Sequence, residues 1–457
     1  MKKLYRFSAI ALLVLPLVFT SCSDYLDRDD DDNITEADVF ARYEKVNGLV
    51  SDVYAAAKKA DRPLVFFEHF SNSAITDECE GTNVEGNITN NFNNGAWNPN
   101  SLPGSVGQYW EALYEGIRKA NLIIENVQKY NTPDNPQQDG DLRNRIGEMY
   151  FMRGYFHMLL LRMYGEAPYI DRVINAGDNM DFKKESVHSM VEKIVTDAQT
   201  AYGMVPNKYV KTSENFGRVD KGACLGLISF VRWVAATPLW NGASQYGYNL
   251  RRVFENEYAY DATRWRKAKE AAKAVLDFEV VGTKRYSLYT KHDANDFKDP
   301  ADGNLNDSRV YARLWDMFYD MDAFANEYVF FMTKSKDQAW QGDIYPPSRE
   351  GSSRQQPVQE QVDEYEYIVG DYGYPVYSAE ARKGGYDDTN PYVKGTRDPR
   401  FYRDVIYHGA PYRNNKNESK TINTASGSDK IGATNATTTG YYLRKFQQES
   451  WNKSGNF

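Results

Sequence analysis

Apolar residues recur at three- and four-residue steps from Trp110 through Leu113, Tyr114, Ile117, Ala120 and Ile124 to Val127, a single stripe along a helix. A second stretch, 141–164, carries Ile146, Met149, Tyr150, Phe156, Leu160 and Met163 before Gly165 and Pro168 stop it. The link through Pro133 and Pro136 is short, so the two helices are predicted to pack antiparallel. Another pair is predicted near 185–202 and 219–236. A further helix from Asp261 to Phe278 places Trp265, Ala268, Ala272 and Val275 on one face. Upstream, Glu36 to Lys59 reads as one helix with Thr35 as its N-cap. Repeated helix pairs imply a solenoid, with Ala120, Gly222, Ala223 and Gly226 as small residues where helices cross. As a membrane dimer motif, Gly222 to Gly226 fails, because Lys221 and Arg232 would interrupt a bilayer span.

Two regions lack this periodicity. Residues 61–103 are rich in Asn, Gly, Ser and aromatics, with His69, Asp77, Glu78 and Trp97, and read as a long surface excursion. Beyond Phe278 the chain is loop-rich, with Trp315, Trp340, Pro346, Pro347 and tyrosines at 365, 367, 372, 374 and 377. Tyr328 to Met332 and Val405 to Tyr407 are the short apolar runs that suggest strands there. The expected fold class is mainly α, a helical repeat scaffold over 36–280 and a loop-rich part over 281–457 of one domain.

Composition adds an excess of aromatics: 35 Tyr, 22 Phe and 8 Trp. Tyrosine serves equally in wet cores and on surfaces that meet amphipathic ligands such as sugars, so the count leaves both readings open. Trp110, Trp233, Trp265 and Trp315 lie on helical patterns and read as core; Trp240, beside Asn241 and Gly242, is intermediate. Net charge is -8, with no basic stripe, which argues against a nucleic-acid partner.

The N-terminus carries the most specific signal. Lys2, Lys3 and Arg6 precede an apolar stretch from Ile10 to Phe19, and Thr20 and Ser21 lead directly to Cys22, so 1–21 reads as a secretion leader. The run is short for a membrane span and is followed by acids. Phe19-Thr20-Ser21-Cys22 resembles the bacterial lipobox, in which the cysteine is acylated; an ordinary cleaved signal peptide with an incidental cysteine is the alternative. Asp24, then Asp27 to Asp32 interrupted only by Arg28, make 22–35 an acidic tether. A calcium loop there would need a glycine and a terminal glutamate that the run does not have. Cys224 lies among small and apolar residues and is expected to be buried, so pairing with Cys79 is not assumed.

Catalytic signatures are missing. His69, His157, His188, His292 and His408 lie far apart without HExxH or HxH spacing, and no GxSxG, GxxxxGK[ST] or GxGxxG motif occurs. No cofactor is expected. Glycoside hydrolysis needs only two well-separated carboxylates, and with 63 acidic residues it stays as the main rival, with a non-catalytic adhesion or structural surface protein as the third reading. Binding a sugar without cleaving it needs aromatic faces for C–H groups, and amides and carboxylates for hydroxyl pairs, on loops held by a rigid scaffold. The candidate cluster is Trp97 with Asn98 and Asn100, supported by Asp77. Trp340 and Tyr345 are the expected opposite wall. A loop anchor packed on the body is the alternative for Trp97.

With these residues laid out, the chain resembles the SusD/RagB family of outer-membrane nutrient-binding lipoproteins. The pieces are the lipobox at Cys22, YWEALYEGIRKANLIIENV from Tyr109, GEMYFMRGYFHMLLLRMYGEAPYI from Gly147, GRVDKGACLGLISFVRWVAATPLWN from Gly217 and WRKAKEAAKAVLD from Trp265. NEYVFF from Asn326, RDPRF from Arg397 and GYYLRKF from Gly440 follow in order. The resemblance implies tetratricopeptide-like helix pairs cradling a loop-rich region, a surface-exposed lipid anchor on the outer membrane, and a TonB-dependent, SusC-like transporter as partner. The lipoprotein would capture glycan and the barrel import it. The resemblance also implies a further helix after GYYLRKF; the chain ends at Phe457, so that helical unit is expected to be missing.

Overall fold

The computed structural model describes residues 34–60, 72–81, 88–98, 100, 104–130, 136–209, 214–243, 254–290, 317–318, 326–332, 342–393, 395–413 and 419–445. Cys22, His69, Trp315 and Trp340 lie outside the described residues.

The predicted first helix is two. Thr35 and Asp38 form a capping box, Thr35 N–H to Asp38 Oδ2 at 2.9 Å and Asp38 N–H to Thr35 Oγ1 at 3.2 Å, which starts α1 (Glu36–Phe40). The helix ends at Ala41, and α2 (Tyr43–Ala60) restarts after Arg42, burying Val46, Val50, Val53 and Ala57 at helical spacing. A short helix, α3 (Ile88–Asn93), precedes the long pair α4 (Gly104–Tyr130) and α5 (Pro136–Tyr164). That pair is antiparallel, as predicted. Tyr164, at the end of α5, donates to Val106 O at 2.6 Å near the start of α4, while Arg153 reaches Asn121 Oδ1 at 2.9 Å farther along.

α6 (Val187–Met204) and α7 (Lys221–Ala236) follow, capped by Ser186 and Asp220, whose side chains accept from Ser189 N and Ala223 N. Asp261 caps α8 (Ala262–Asp277) in the same way. Each helix from α4 to α8 packs on the next, and α2 lies on α4 and α5. Their shared aliphatic core includes Leu113, Ile117, Met149, Leu160, Ile194 and Val231. Removing one such leucine would cost about 2–5 kcal/mol.

Three details differ from the sequence reading. The close helix approach falls at glycines of α5: Gly147 abuts Met204, and Gly154 abuts Ile194 and Asp197. Gly222 and Gly226 instead admit Tyr286 and Val329 from the segments after α8, where a Cβ would collide. Trp233 (51% exposed) and Trp265 (42%) stand at the surface rather than in the core, because on the outer side of α7 and α8 nothing among the described residues covers them fully.

The rest is built from short strands. β1 (Ile75–Thr76) and β2 (Cys79–Gly81) form a hairpin extended by β5 (Gln355–Pro357), with Cys79 opposite Pro357, so the early excursion is tied to the second half. β3 (Glu279–Val280) and β4 (Thr283–Lys284) close a small hairpin after α8. Beyond it come α9 (Gln359–Asp363), the hairpin β6 (Tyr367–Val369) and β7 (Tyr372–Tyr374), α10 (Ala379–Lys383) and α11 (Pro399–Asp404). β8 (Val405–Ile406), the predicted strand, pairs with β11 (Tyr442–Leu443), and β9 (Pro411–Arg413) with β10 (Ser419–Thr421). Tyr328 to Met332 is irregular instead of a strand; all five residues are half-buried, and Phe330 packs edge-on to Phe151 and Tyr155 of α5. A second core gathers Tyr345, Val362, Phe401, Ile406, Tyr412 and Tyr442.

Candidate functional site

The excursion before α4 is held by local bonds that its Asn- and Ser-rich sequence supplies. The Thr76 hydroxyl donates to Ser73 O at 2.9 Å, Ser73 donates to Glu78 Oε2 at 3.0 Å, and Asn93 Nδ2 donates to Ala74 O at 3.1 Å. α3 is thereby fastened to the β1–β2 hairpin, whose turn carries Asp77, exposed. Trp97 is half-buried. Its ring meets Phe92 edge-on with centroids 4.9 Å apart and packs against Ala74, Cys79 and Val106. Phe92 is itself exposed. Burial raises the Cys79 thiol to about 12, so this cysteine stays protonated and acts as packing.

Asn98 and Asn100 are exposed; Asn98 Oδ1 accepts the Asn100 backbone N–H at 2.9 Å, a local turn that fixes both. The amide N–H groups of Asn98, the side-chain amide of Asn100 and the carboxylate of Asp77 have no protein partner among the described residues. Trp97 packs on the segment that carries Asp77, and Asn98 and Asn100 follow Trp97 in the chain, so four of the six predicted residues lie on segments braced against one another. Phe92 belongs with them and was missed; its signal was its position within the Asn-rich run that ends at Trp97.

Tyr345 is a correction. It is completely buried in the second core, with the Arg349 guanidinium 5.2 Å above its ring, and offers no surface to a ligand. The Gly- and Pro-rich sequence around it suggested a loop, but the chain there folds back so closely that the Gly351 Cα lies against the Tyr345 backbone.

A larger groove, about 600 Å³, runs along Phe151, Tyr155, Phe230, Trp233, Val275 and Phe330. Its lining is dominated by apolar side chains, so it provides little to meet sugar hydroxyls. Among the described residues no group of three or more His, Cys, Asp or Glu side chains could hold a metal ion, and no helix is long and apolar enough to cross a membrane. Cys79 and Cys224 are both free and buried.

The chain is thus a helix-pair scaffold carrying a braced loop with Phe92, Trp97, Asn98 and Asn100 on it. Comparison with known proteins places it. Residues 24–231 match a SusD-like family described as starch-binding and associating with the outer membrane, and residues 320–456 match the SusD family. The chain belongs to the SusD family, and its fold is SusD-like. A curated relative, SusD-like protein P2 of Formosa agariphila, is 24% identical over 202 residues, 43% of this chain and 38% of that protein. A SusD-like protein from Bacteroides fragilis superposes with a TM-score of 0.63 at 18% identity, over 91% of this chain and 70% of that one. A SusD-like carbohydrate binding protein from the same organism gives 0.63 at 14%, over 90% and 69%. At such identities the superpositions establish the fold alone.

Proposed function

We propose that this protein captures a glycan at the Trp97 platform without cleaving it and delivers it to a SusC-like, TonB-dependent outer-membrane transporter. The supporting observation is the pair of exposed amides, Asn98 and Asn100, that follow the Phe92–Trp97 ring pair in the chain, with the exposed Asp77 carboxylate on the hairpin packed beneath Trp97; these are the groups that sugar hydroxyls and C–H faces require. Carbohydrate binding in the family supports the ligand class. A lipid on Cys22 would hold the protein at the outer membrane, facing outward, with the acidic tether spacing it from the surface. Nothing in the reading requires a cofactor, and its mechanism is binding alone.

The test is a panel of polysaccharides scored for both retention and release of reducing ends. Saturable retention without product is expected, and Asn98→Ala with Asn100→Ala should weaken it at least tenfold while leaving the melting transition in place. Product formation would establish the hydrolase instead. Unchanged affinity in the double variant and in Trp97→Ala would move the site elsewhere. Co-purification of a barrel transporter with the full chain from membranes tests the delivery step.

A further inference from the structure

Glu148 of α5 is wholly buried and accepts from four donors. The Tyr54 hydroxyl and Arg218 Nη1 reach Oε2, each at 2.9 Å; the Tyr209 hydroxyl reaches Oε1 at 2.7 Å, where Arg145 also bonds. One carboxylate is thus shared by two guanidinium groups. Beside it lies a pocket of about 310 Å³ whose walls include Tyr54, Lys58, Glu214, Phe216, Arg218 and Phe331. Lys58 and the Glu214 carboxylate have no ion-pair partner among the described residues. The pocket and the network behind it therefore set the cations Lys58, Arg218 and Arg145 against the carboxylates Glu148 and Glu214, which leaves one positive charge over.

An excess cation in a partly buried setting is stabilised by an anion brought in from outside. Arg218 has donors to offer it. Of its five N–H groups, Nε is used by Glu214 O at 3.0 Å, one of Nη1 by Glu148 and one of Nη2 by Asn47 Oδ1 at 3.4 Å. Two remain, one on each Nη, available to a carboxylate or sulfate oxygen. Phe216 and Phe331, with ring centroids 5.0 Å apart, supply apolar surface at the same pocket. Its volume, about 310 Å³, is at the lower end of the roughly 300–1,000 Å³ range of small-ligand sites, so a small occupant suits it.

We infer that this pocket is a subsite for one acidic sugar residue, its carboxylate or sulfate bound by Lys58 and Arg218 and its ring resting on phenylalanine. It is separate from the Trp97 platform. Glu148, behind this pocket, and Met163, packed on the cluster beneath Trp97, are fifteen positions apart in α5, roughly 20 Å along the helix. A protein that ignores neutral polysaccharide could still bind here, and the reverse.

Titration of the full chain with glucuronate, a sulfated galactose, glucose and inorganic sulfate, followed by calorimetry, tests this. One or both acidic sugars should bind saturably, at least tenfold tighter than glucose, and more weakly as salt rises; which one binds tells carboxylate from sulfate. Lys58→Glu should reduce that affinity tenfold or more, and Glu214→Gln should leave it unchanged or raise it two- to threefold. Lys58→Gln serves if the reversed charge prevents folding. Equal affinity for glucose, binding of inorganic sulfate as tight as of the sugars, or indifference to both Lys58 variants would each overturn the inference.

Discussion

The helical scaffold and the loop-rich half are held together by opposite means. In α4 to α8 most backbone carbonyls are met within their own helix, so the space between helices is filled largely with Leu, Ile, Val and Met, and buried polar side chains such as Arg153 and Asp197 pair with one another. The Arg153 guanidinium grips Asp197 with Nε at 2.8 Å and Nη2 at 2.5 Å, and Tyr169 donates to the same carboxylate at 2.7 Å. In the second half the short strands leave carbonyls unmet, and side chains must reach them. Arg397, buried, donates to Val362 O at 2.6 Å and to Tyr365 O at 2.7 Å; Tyr402 donates to Val393 O at 2.6 Å and Tyr442 to Asp429 O at 2.8 Å. Tyrosine is abundant because a core with little regular structure needs rings that carry a hydroxyl.

The largest effect should come from Glu148→Ala, which strands Arg145 and Arg218 in the helical half and costs about 3–5 kcal/mol in a denaturant titration. Glu148→Gln should restore part of that, since an amide oxygen still accepts. If neither variant lowers the midpoint, the ionic network does not brace the scaffold.

Arg397→Met should cost about 3 kcal/mol by leaving buried carbonyls unmet. Hydrogen exchange should then rise over Tyr365 to Thr396 while α4 to α6 stay protected. A uniform loss of protection would show that the two regions stand or fall together.

A pH series sharpens the contrast further. His157 is buried and stacked on Tyr169 with ring centroids 3.7 Å apart; Nε2 accepts the Ile170 N–H at 3.0 Å, so Nδ1–H donates to Arg153 O at 2.8 Å. Burial lowers its pKa to about 3. The depressed value means protons bind the unfolded chain more readily, so its contribution is complete above about pH 6.5 and is lost as pH falls toward 3. Between pH 7 and 5 this amounts to about 2 kcal/mol. The decline should be shallower in His157→Gln, and an equal slope would assign the acid sensitivity to other groups.

The smallest change, Tyr402→Phe, removes the hydroxyl that also accepts from Arg397 N at 3.2 Å, and should cost about 1–2 kcal/mol. A cost near zero would mean that water replaces it.

The helices from Trp110 onward were legible to within a few residues because a 3.6-residue stripe is a local property; the caps at Asp220 and Asp261 came to light only in the structure. Of the proposed site, Asp77, Trp97, Asn98 and Asn100 could be put forward as a group because they share one stretch of chain. Tyr345 could not, since nothing near it in sequence reveals that residues 401–442 close over it. The Glu148 cluster draws on α2, α5 and residues 209 and 218, and no spacing rule joins them.

Taken by itself, the sequence determined the helix register, the Thr35 cap and the family, because each is written in contiguous residues. Only the tertiary structure decided which tryptophans face solvent, which glycines receive a neighbour and where one carboxylate meets two arginines. Those outcomes depend on contacts between segments distant in the chain, whose partners are set by how whole elements pack.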